Sequence, residues 1–187
     1  MEAQHMFRQS VTLLDGGVGQ EVFLRSGQPA TPLWSIEVMM HSPEIVTSVH
    51  RDFIEAGCKI HTLNTYAATP ARLGRDTSTY ALSDVHKRAV HCLHQARDQS
   101  CTPDNNVLIA ACMPPLFSSY ATMEIQPDSN LIFHYEQILE YQLDACDLIL
   151  IETVSNLSEG EAALKVASST GKPVMIAFCV DDMEPTK

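Results

Sequence analysis

Five short apolar segments alternate along the chain with longer segments in which apolar residues recur at helical spacing. The apolar segments are continuous rather than interrupted by polar residues, which is typical of parallel strands that are covered on both faces. We therefore predict five strands, at residues 11–14, 58–63, 107–111, 147–151 and 173–180. Helical spacing and capping signals predict four helices between them, at residues 42–57, 83–97, 128–143 and 158–170.

Local signals refine the predicted helices and loops. Ser158 and Glu161 have the spacing of a capping box, which would begin the fourth helix. Glycine and proline predict loops at residues 25–32 and around Pro70 and Gly74. Three histidines of the second predicted helix are expected on its polar face rather than as metal ligands: His86, His91 and His94.

The alternation of strands and helices indicates an α/β protein with right-handed crossovers, which leaves an open doubly wound sheet or a (β/α)8 barrel. Polar candidates follow several different predicted strands: Asp15, Asn64, the loop 113–120 and Glu152. Because convergence from several strand ends is typical of a barrel, we predict the (β/α)8 TIM-barrel type, incomplete, with about five of eight βα units. Five strands cannot close such a barrel. The outer strands would keep open edges, available for self-association or pairing with another chain.

Composition narrows the classes of partner. The 187 residues carry a formal net charge of -11, which argues against nucleic acid and anionic membranes as partners, since both would be repelled. The first residues lack the pattern of a signal peptide, and no apolar stretch is long enough to span a bilayer. We therefore expect a cytoplasmic location.

The cysteines are scattered, without the closely spaced pairs that structural zinc sites use. Without an export signal, they are predicted to be buried free thiols in a reducing compartment. The six positions are Cys58, Cys92, Cys101, Cys112, Cys146 and Cys179.

A glycine-rich turn follows the first predicted strand, and it raises the question of nucleotide binding. Gly17 and Gly19 start a dinucleotide-like pattern, but Val22 occupies the place of its third glycine. Glu37 lies before the first predicted helix rather than after the second strand, where a ribose-binding acid is expected. No Gly-Lys-Ser/Thr sequence follows. The pattern therefore argues against a nucleotide site.

Two acids at the ends of predicted strands indicate a different ligand. A carboxylate that ends an apolar strand, as Glu152 does, is costly to bury unpaired, so it either reaches solvent or meets a cation. Asp15 would lie on the same rim, and the two acids together could hold an ammonium group, which suggests an amino-acid substrate. The alternatives are that Asp15 lies in a solvated turn and that Glu152 caps the following helix region.

Several segments occur in an order that resembles the homocysteine S-methyltransferases, including the betaine-using and S-methylmethionine-using enzymes and the homocysteine module of cobalamin-dependent methionine synthase. Each motif alone is weak, but the ordered set is specific and runs from about residue 11 to 180. The segments are LLDGGVGQE at 13–21, PLWS at 32–35, Ala-Gly at 56–57, NTYAATPARLG at 64–74, Pro-Pro at 114–115 with Ser-Tyr at 119–120, and DLILIET at 147–153.

The resemblance implies a (β/α)8 barrel in which zinc binds the sulfur of homocysteine. Zinc would lower the pKa of the thiol, so that a thiolate attacks a methyl group on a sulfonium, an ammonium or a folate nitrogen and yields methionine. By position, Asp15 and Glu152 match the acids that hold the homocysteine amino group. Gly16 and Gly17 match the backbone turn against the substrate, and Asn64 matches a polar residue at a strand end near the site.

The resemblance also implies roles for two aromatic residues on the side of the methyl donor. Trp34 and Tyr66 match loop aromatics that line this side in the betaine enzyme, where a π face would suit a cationic donor. The alternatives are that Trp34 packs within its loop and that Tyr66 forms a surface lid.

Zinc ligation is where this chain departs from the family. The resemblance implies three cysteine ligands, one after the sixth strand and an adjacent pair near the C-terminus, and residues 1–187 contain none of these positions. We therefore expect one homocysteine-binding domain, truncated before the zinc-ligand cysteines and inactive in methyl transfer on its own. Cys112 and Cys179 could instead share a soft-metal site. A second hypothesis is a catalytically silent homologue that binds an amino acid or regulates a partner.

Overall fold

The computed structural model describes residues 11–29, 31–75, 78–100, 102, 106–120 and 128–180. Within this part of the chain, four parallel strands form one sheet in which each strand neighbours the next along the chain. A doubly wound sheet reverses its strand order at a switch point, whereas this unreversed order is that of a barrel wall. The structure is therefore α/β and of the incomplete TIM-barrel type. The strands are β1 (Ile60–Thr62), β2 (Leu108–Met113), β3 (Leu148–Val154) and β4 (Val174–Phe178).

All four predicted helices are present, and three further short helices lie where loops or no helix were predicted. α4 begins at Pro70 because the side chain of Thr69 accepts a hydrogen bond from Arg72 N (3.2 Å), an N-cap followed by proline that the loop prediction overlooked. The predicted loop 25–32 begins inside α1. The helices are α1 (Val18–Ser26), α2 (Ser35–His41), α3 (Pro43–Glu55), α4 (Pro70–Arg75), α5 (Leu82–Ser100), α6 (Asp128–Glu140) and α7 (Leu157–Ser168).

The prediction of a strand at residues 11–14 is wrong, because these residues do not form a regular strand. Residues 11–14 lie beside β1, where Leu14 forms an isolated parallel bridge with Ile60, and Asp15 N donates to Ile60 O at 2.9 Å. Val11 and Leu13 are 88% and 53% exposed, so this apolar segment is not covered on both faces in the described structure. The bridge nevertheless fixes the start of the glycine turn against the sheet.

Two local predictions about helices α5 and α7 are also wrong. The N-cap of α7 is Asn156, whose side chain accepts from Ser158 N at 2.8 Å, so the capping box predicted at Ser158 and Glu161 does not form. Asn156, two residues before the predicted cap, accepts the hydrogen bonds of the first free backbone amides of α7. His86 is fully buried rather than on a polar face, because it shares the inner stripe of α5 with Ala89 at i+3. His91 is exposed and His94 is partly buried.

Strands β1, β2 and β3 are mostly buried on both faces, as their continuous apolar sequences predict, whereas β4 is only partly covered. One face packs on the outer helices, with Ile109 and Ile149 in a cluster that includes Tyr135. The other face forms a separate small cluster of residues from the strands alone: Ile60, Leu108, Ala110, Leu148 and Leu150. The second cluster marks the barrel interior and lies beneath the carboxyl ends of the strands.

Four cysteines are buried free thiols, as predicted: Cys58, Cys92, Cys112 and Cys146. Cys179 is free but exposed, which corrects the prediction, because it follows β4, the least buried strand. Cys101 lies outside the described residues. Among the described strands β4 pairs only with β3, and association through this edge stays a prediction. No helix within the described residues has the length and apolar character that crossing a bilayer requires.

We expect Gly160→Ala to destabilise the fold, because Gly160 lets α7 approach β3 closely. A Cβ at this position would lie 2.9 Å from Val154 Cγ1, in a packed interior that cannot relax freely. The expected loss in the free energy of unfolding is ~1–3 kcal/mol, measured by urea denaturation. Gly74→Ala is the matched control, since its Cβ would meet no atom within 4 Å. Equal effects of the two substitutions would contradict the packing argument.

Candidate functional site

A cavity of about 720 Å³ opens at the carboxyl ends of the strands. This volume is within the range of small-molecule sites, and the position is where barrel enzymes place their chemistry. The structure brings all seven site residues nominated from the sequence to its lining: Asp15, Gly16, Gly17, Trp34, Asn64, Tyr66 and Glu152.

Asp15 is held against the end of β1. Its Oδ2 accepts a hydrogen bond from Thr62 N (2.8 Å), and its Oδ1 accepts one from Thr62 Oγ1 (3.2 Å). Burial raises the pKa of Asp15 to about 7; the bonds from Thr62 oppose this shift, and the charge of Glu152 adds to it. The next residue, Gly16, packs closely against Phe53, because a Cβ at this position would lie 3.2 Å from Phe53 Cε1.

Alternation along β3 places Glu152 on the same face as Leu148 and Leu150, where it lines the cavity, and the strand is irregular beside it. The pairing of β3 with β4 shifts register between Ile151 and Val154, and Thr153 has φ 58°. Bulges of this kind redirect side chains beside functional sites. Cys112 Sγ donates to Glu152 Oε1 at 2.9 Å, and burial raises the pKa of Glu152. Because Asn156 caps α7, the alternative that Glu152 serves as that cap is wrong.

Two carboxyl groups therefore line one cavity, each in surroundings that disfavour its charge. Glu152 contributes to the raised pKa of Asp15, so the two groups lie within electrostatic reach of each other. A cation between them would relieve both the desolvation and the mutual repulsion. The arrangement favours a ligand with a small cationic group.

Behind Glu152, the side chain of Gln142 fixes the backbone of Cys112. Gln142 is fully buried; its Oε1 accepts from Cys112 N at 2.9 Å, and its Nε2 donates to Cys112 O at 3.0 Å. Thr65 Oγ1 also donates to Gln142 Oε1, at 3.3 Å. Gln142 thus positions the thiol that holds Glu152. The sequence did not identify it, because a polar residue among apolar positions carries no motif.

Asn64 lies at the floor of the cavity and is held from below. It is 5% exposed; Ser35 Oγ donates to its Oδ1 at 2.9 Å, and its Nδ2 contacts Met39 Sδ at 3.7 Å. Ser35 itself lines the cavity, and the sequence had not nominated it. These contacts use both ends of the amide and set its orientation.

Tyr66 is tethered rather than free as a lid. Its hydroxyl lies 2.7 Å from Ser119 Oγ, and the guanidinium of Arg72 lies 5.1 Å from the centre of its ring. Arg72 also donates to Ser119 Oγ at 3.3 Å, so loop 113–120 and α4 are joined across Tyr66. One π face of Tyr66 is therefore already engaged by a cation.

Trp34 separates two cavities. It lines the main cavity and also a second one of about 450 Å³, and its ring lies 6.2 Å from that of Phe23. Gly19 allows this placement, because a Cβ there would lie 3.4 Å from Trp34 Cζ3. Trp34 thus packs against α1 while presenting part of its side chain to the site.

Backbone strain is concentrated around the main cavity. Within the described residues, the non-glycine residues with positive φ are Trp34 (49°), Tyr120 (60°) and Thr153 (58°), and all three line this cavity. Such conformations cost about 1–3 kcal/mol each, and they persist where the surroundings enforce them. The strain provides a further indication, independent of charge, that this cavity is the functional site.

We expect Thr153→Gly to stabilise the fold by up to ~1 kcal/mol, because glycine adopts φ 58° without a clash of its Cβ. Thr153→Ala retains the Cβ and should gain much less. Thermal unfolding of the two variants against the parent chain measures the difference. A destabilised glycine variant would show that the Thr153 side chain contributes more than its backbone costs.

The described residues do not form a zinc–thiolate centre. Among them, the group of at least three histidine, cysteine or acidic side chains with converging ligand atoms comprises Asp15, His50 and His61, and it contains no cysteine. Cys112 is bonded to Glu152 and does not line the cavity, whereas Cys179 does. The described cysteines therefore do not form the three-cysteine zinc site that the resemblance implies.

Comparisons with known proteins agree with this architecture. The family model described as homocysteine S-methyltransferase matches residues 12–187. The chain is 29% identical over 174 residues to a homocysteine S-methyltransferase of Escherichia coli, covering 87% of this chain and 56% of that relative. It is 23% identical to homocysteine S-methyltransferase 1 of Arabidopsis thaliana, covering 94% of this chain and 59% of that relative. The chain thus spans little more than half the length of these relatives.

A solved structure extends the likeness to three dimensions. The metallated form of the homocysteine methyltransferase MmuM from Escherichia coli superposes with a TM-score of 0.85 at 25% identity, covering 98% of this chain and 68% of that one. The order of strands and the position of the cavity are those expected for such a barrel. Matched by the family model from residue 12 onward, this chain belongs to the homocysteine S-methyltransferase family.

Proposed function

We propose that the main cavity binds homocysteine and that the chain supplies the amino-acid-binding part of an enzyme that transfers a methyl group to the homocysteine thiol, giving methionine. The observation that carries this proposal is the pair of desolvated carboxyl groups, Asp15 and Glu152, in one cavity of a homocysteine S-methyltransferase fold. Methionine biosynthesis and a cytoplasmic location belong to the same proposal. The location is supported by the buried free thiols, which suit a reducing compartment.

The two acids would hold the ammonium group of the substrate. Hydrogen bonds between charged groups contribute about 1.5–3 kcal/mol each, and more where water is excluded. Cys112 donates to one oxygen of Glu152 and leaves the other available, while Thr62 fixes the plane of the Asp15 carboxylate. Gly16 and Gly17 bring the backbone to the same wall of the cavity, where they would contact the substrate. Asn64 would add a polar contact from the floor.

The methyl donor would approach from the side of Trp34 and Tyr66. Arg72 already engages one face of Tyr66, so a cationic donor would find an aromatic surface on Trp34 rather than between the two rings. Zinc, when bound in an enzyme of this type, lowers the pKa of the substrate thiol. The described cysteines do not converge on a site for that ion.

Calorimetric titration of the 187-residue protein with L-homocysteine tests the proposal. The matched control ligand is 4-mercaptobutanoic acid, which has the same thiol and carboxylate but no amino group. Homocysteine should bind at least about 30-fold more tightly, because loss of a buried charge partner costs about 2–5 kcal/mol. Equal binding of the two compounds, or no binding of homocysteine, would contradict the proposed amino-group site.

A further inference from the structure

A histidine pair lies behind Asp15, between β1 and the helix that covers it. His50 is on α3 and His61 is on β1, and both side chains are fully buried. One ligand atom from each histidine and one carboxylate oxygen of Asp15 lie within 4.8 Å of one another. The rings meet edge to face, with centroids 6.5 Å apart.

The ring nitrogens of this pair are unusual because they are buried and mostly unpartnered. Among the described residues, neither ring nitrogen of His50 has a hydrogen-bond partner, and Nδ1 of His61 has none either. Buried polar atoms are normally satisfied, so three such atoms in one place indicate a missing partner, either water or an ion. The buried His86 also has one nitrogen without a partner, Nδ1, while its Nε2 is paired with Ala68 O at 2.9 Å; His50 differs in that neither of its nitrogens is paired.

The hydrogen bond of His61 determines which of its nitrogens can bind a ligand. Nε2 lies 3.2 Å from Cys58 O, and a carbonyl oxygen only accepts, so Nε2 carries the proton. Nδ1 therefore carries the lone pair and is the nitrogen of His61 that can bind an ion. A histidine that donates its other N–H to a backbone carbonyl is the usual arrangement of a metal ligand.

Asp15 contributes a carboxylate ligand to this cluster and connects the two histidines to the main cavity. Its carboxylate is oriented by Thr62 and keeps lone pairs free beyond these two bonds. Because Asp15 also lines the main cavity, an ion could reach the histidines from solvent past this residue. Two imidazoles and one carboxylate suit zinc, cobalt, nickel and iron, whereas calcium and magnesium prefer oxygen ligands only.

We propose that Asp15, His50 and His61 form a binding site for one divalent transition-metal ion of the zinc type, with nitrogen and oxygen ligands and no thiolate. Metal–ligand distances of about 2.0–2.2 Å require the three side chains to close slightly around the ion. The site shares Asp15 with the proposed amino-acid site, but it does not depend on homocysteine binding.

Cobalt(II) is the probe, added to the metal-free 187-residue protein under reducing conditions. We expect one equivalent to bind, with visible ligand-field absorption and no thiolate-to-cobalt charge-transfer band in the near ultraviolet, and we expect zinc to displace it. A charge-transfer band would show that cysteines ligate the ion. The absence of stoichiometric binding would show that water satisfies these nitrogens. Either result would overturn the proposal.

His50→Phe and His61→Leu test the ligands individually, with His91→Ala on the exposed face of α5 as the matched control. Each ligand variant should lose more cobalt affinity than the roughly 10–100-fold that removal of an outer partner costs, while the control should retain it. Circular dichroism verifies folding, and His50→Asn or His61→Asn replaces the variant at the same position if that variant does not fold. Unchanged cobalt binding by folded ligand variants would overturn the proposal. Titration with homocysteine in parallel distinguishes this failure from failure of the proposed function.

Discussion

Glu152→Ala is expected to weaken the binding of homocysteine by about 30- to 5,000-fold. In the proposed complex, the substitution would leave the ammonium group of homocysteine buried with only one carboxylate, and breaking such a pair costs about 2–5 kcal/mol. It also deprives the Cys112 thiol of its acceptor. The measurement is the dissociation constant of homocysteine by calorimetry.

The matched control is Glu161→Ala, which removes the same side chain from the exposed face of α7. It should leave the dissociation constant within about a factor of two, since a solvated surface charge contributes little. An affinity that falls equally in both variants would indicate a general electrostatic effect. An unchanged affinity in Glu152→Ala would remove Glu152 from the site.

The second large effect concerns stability in acid and arises from His86. Burial lowers the pKa of His86 to about 4, against 6.5 for an unperturbed histidine. Below pH 6.5 the unfolded chain therefore takes up a proton that the folded chain refuses, so stability is complete above pH 6.5 and falls toward pH 4. The expected loss from this residue is about 1.4 kcal/mol per pH unit and about 3 kcal/mol in total.

Urea denaturation between pH 7 and pH 4.5 measures this contribution as a difference between variants. His86→Gln can still donate to Ala68 O but does not titrate, so its stability should fall less steeply with pH than that of the parent chain. The exposed His91→Gln should leave the slope unchanged. Comparing variants cancels the opposing effect of Asp15, whose raised pKa favours the folded state as the pH falls. Equal slopes in all three proteins would contradict the assigned cause.

The regular elements with long periodic patterns were predictable from the sequence. α3 and α5 repeat apolar residues over three or more turns, and β2 and β3 are continuous apolar runs buried on both faces. Short helices such as α1 carry too few turns for periodicity to be distinct. Residues 11–14 have a strand-like composition but only one bridge to the sheet, because pairing depends on neighbours that composition does not specify.

For the site, the sequence nominated residues at strand ends, and the fold brings these to one cavity. The features of the site that the sequence could not predict depend on contacts between segments that are distant along the chain. Gln142 lies 30 residues from the Cys112 backbone it fixes, and the bulge at Thr153 has no composition signal. His50 and His61 come together only because α3 packs over β1, so a single polar residue on each element gave no indication of a cluster.

The most direct test of the account is a crystal structure of this protein with homocysteine bound. We predict that the amino nitrogen lies about 2.7–3.2 Å from a carboxylate oxygen of both Asp15 and Glu152, with the side chain of homocysteine in the main cavity. Homocysteine bound elsewhere, or with its amino group in contact with neither acid, would contradict the account.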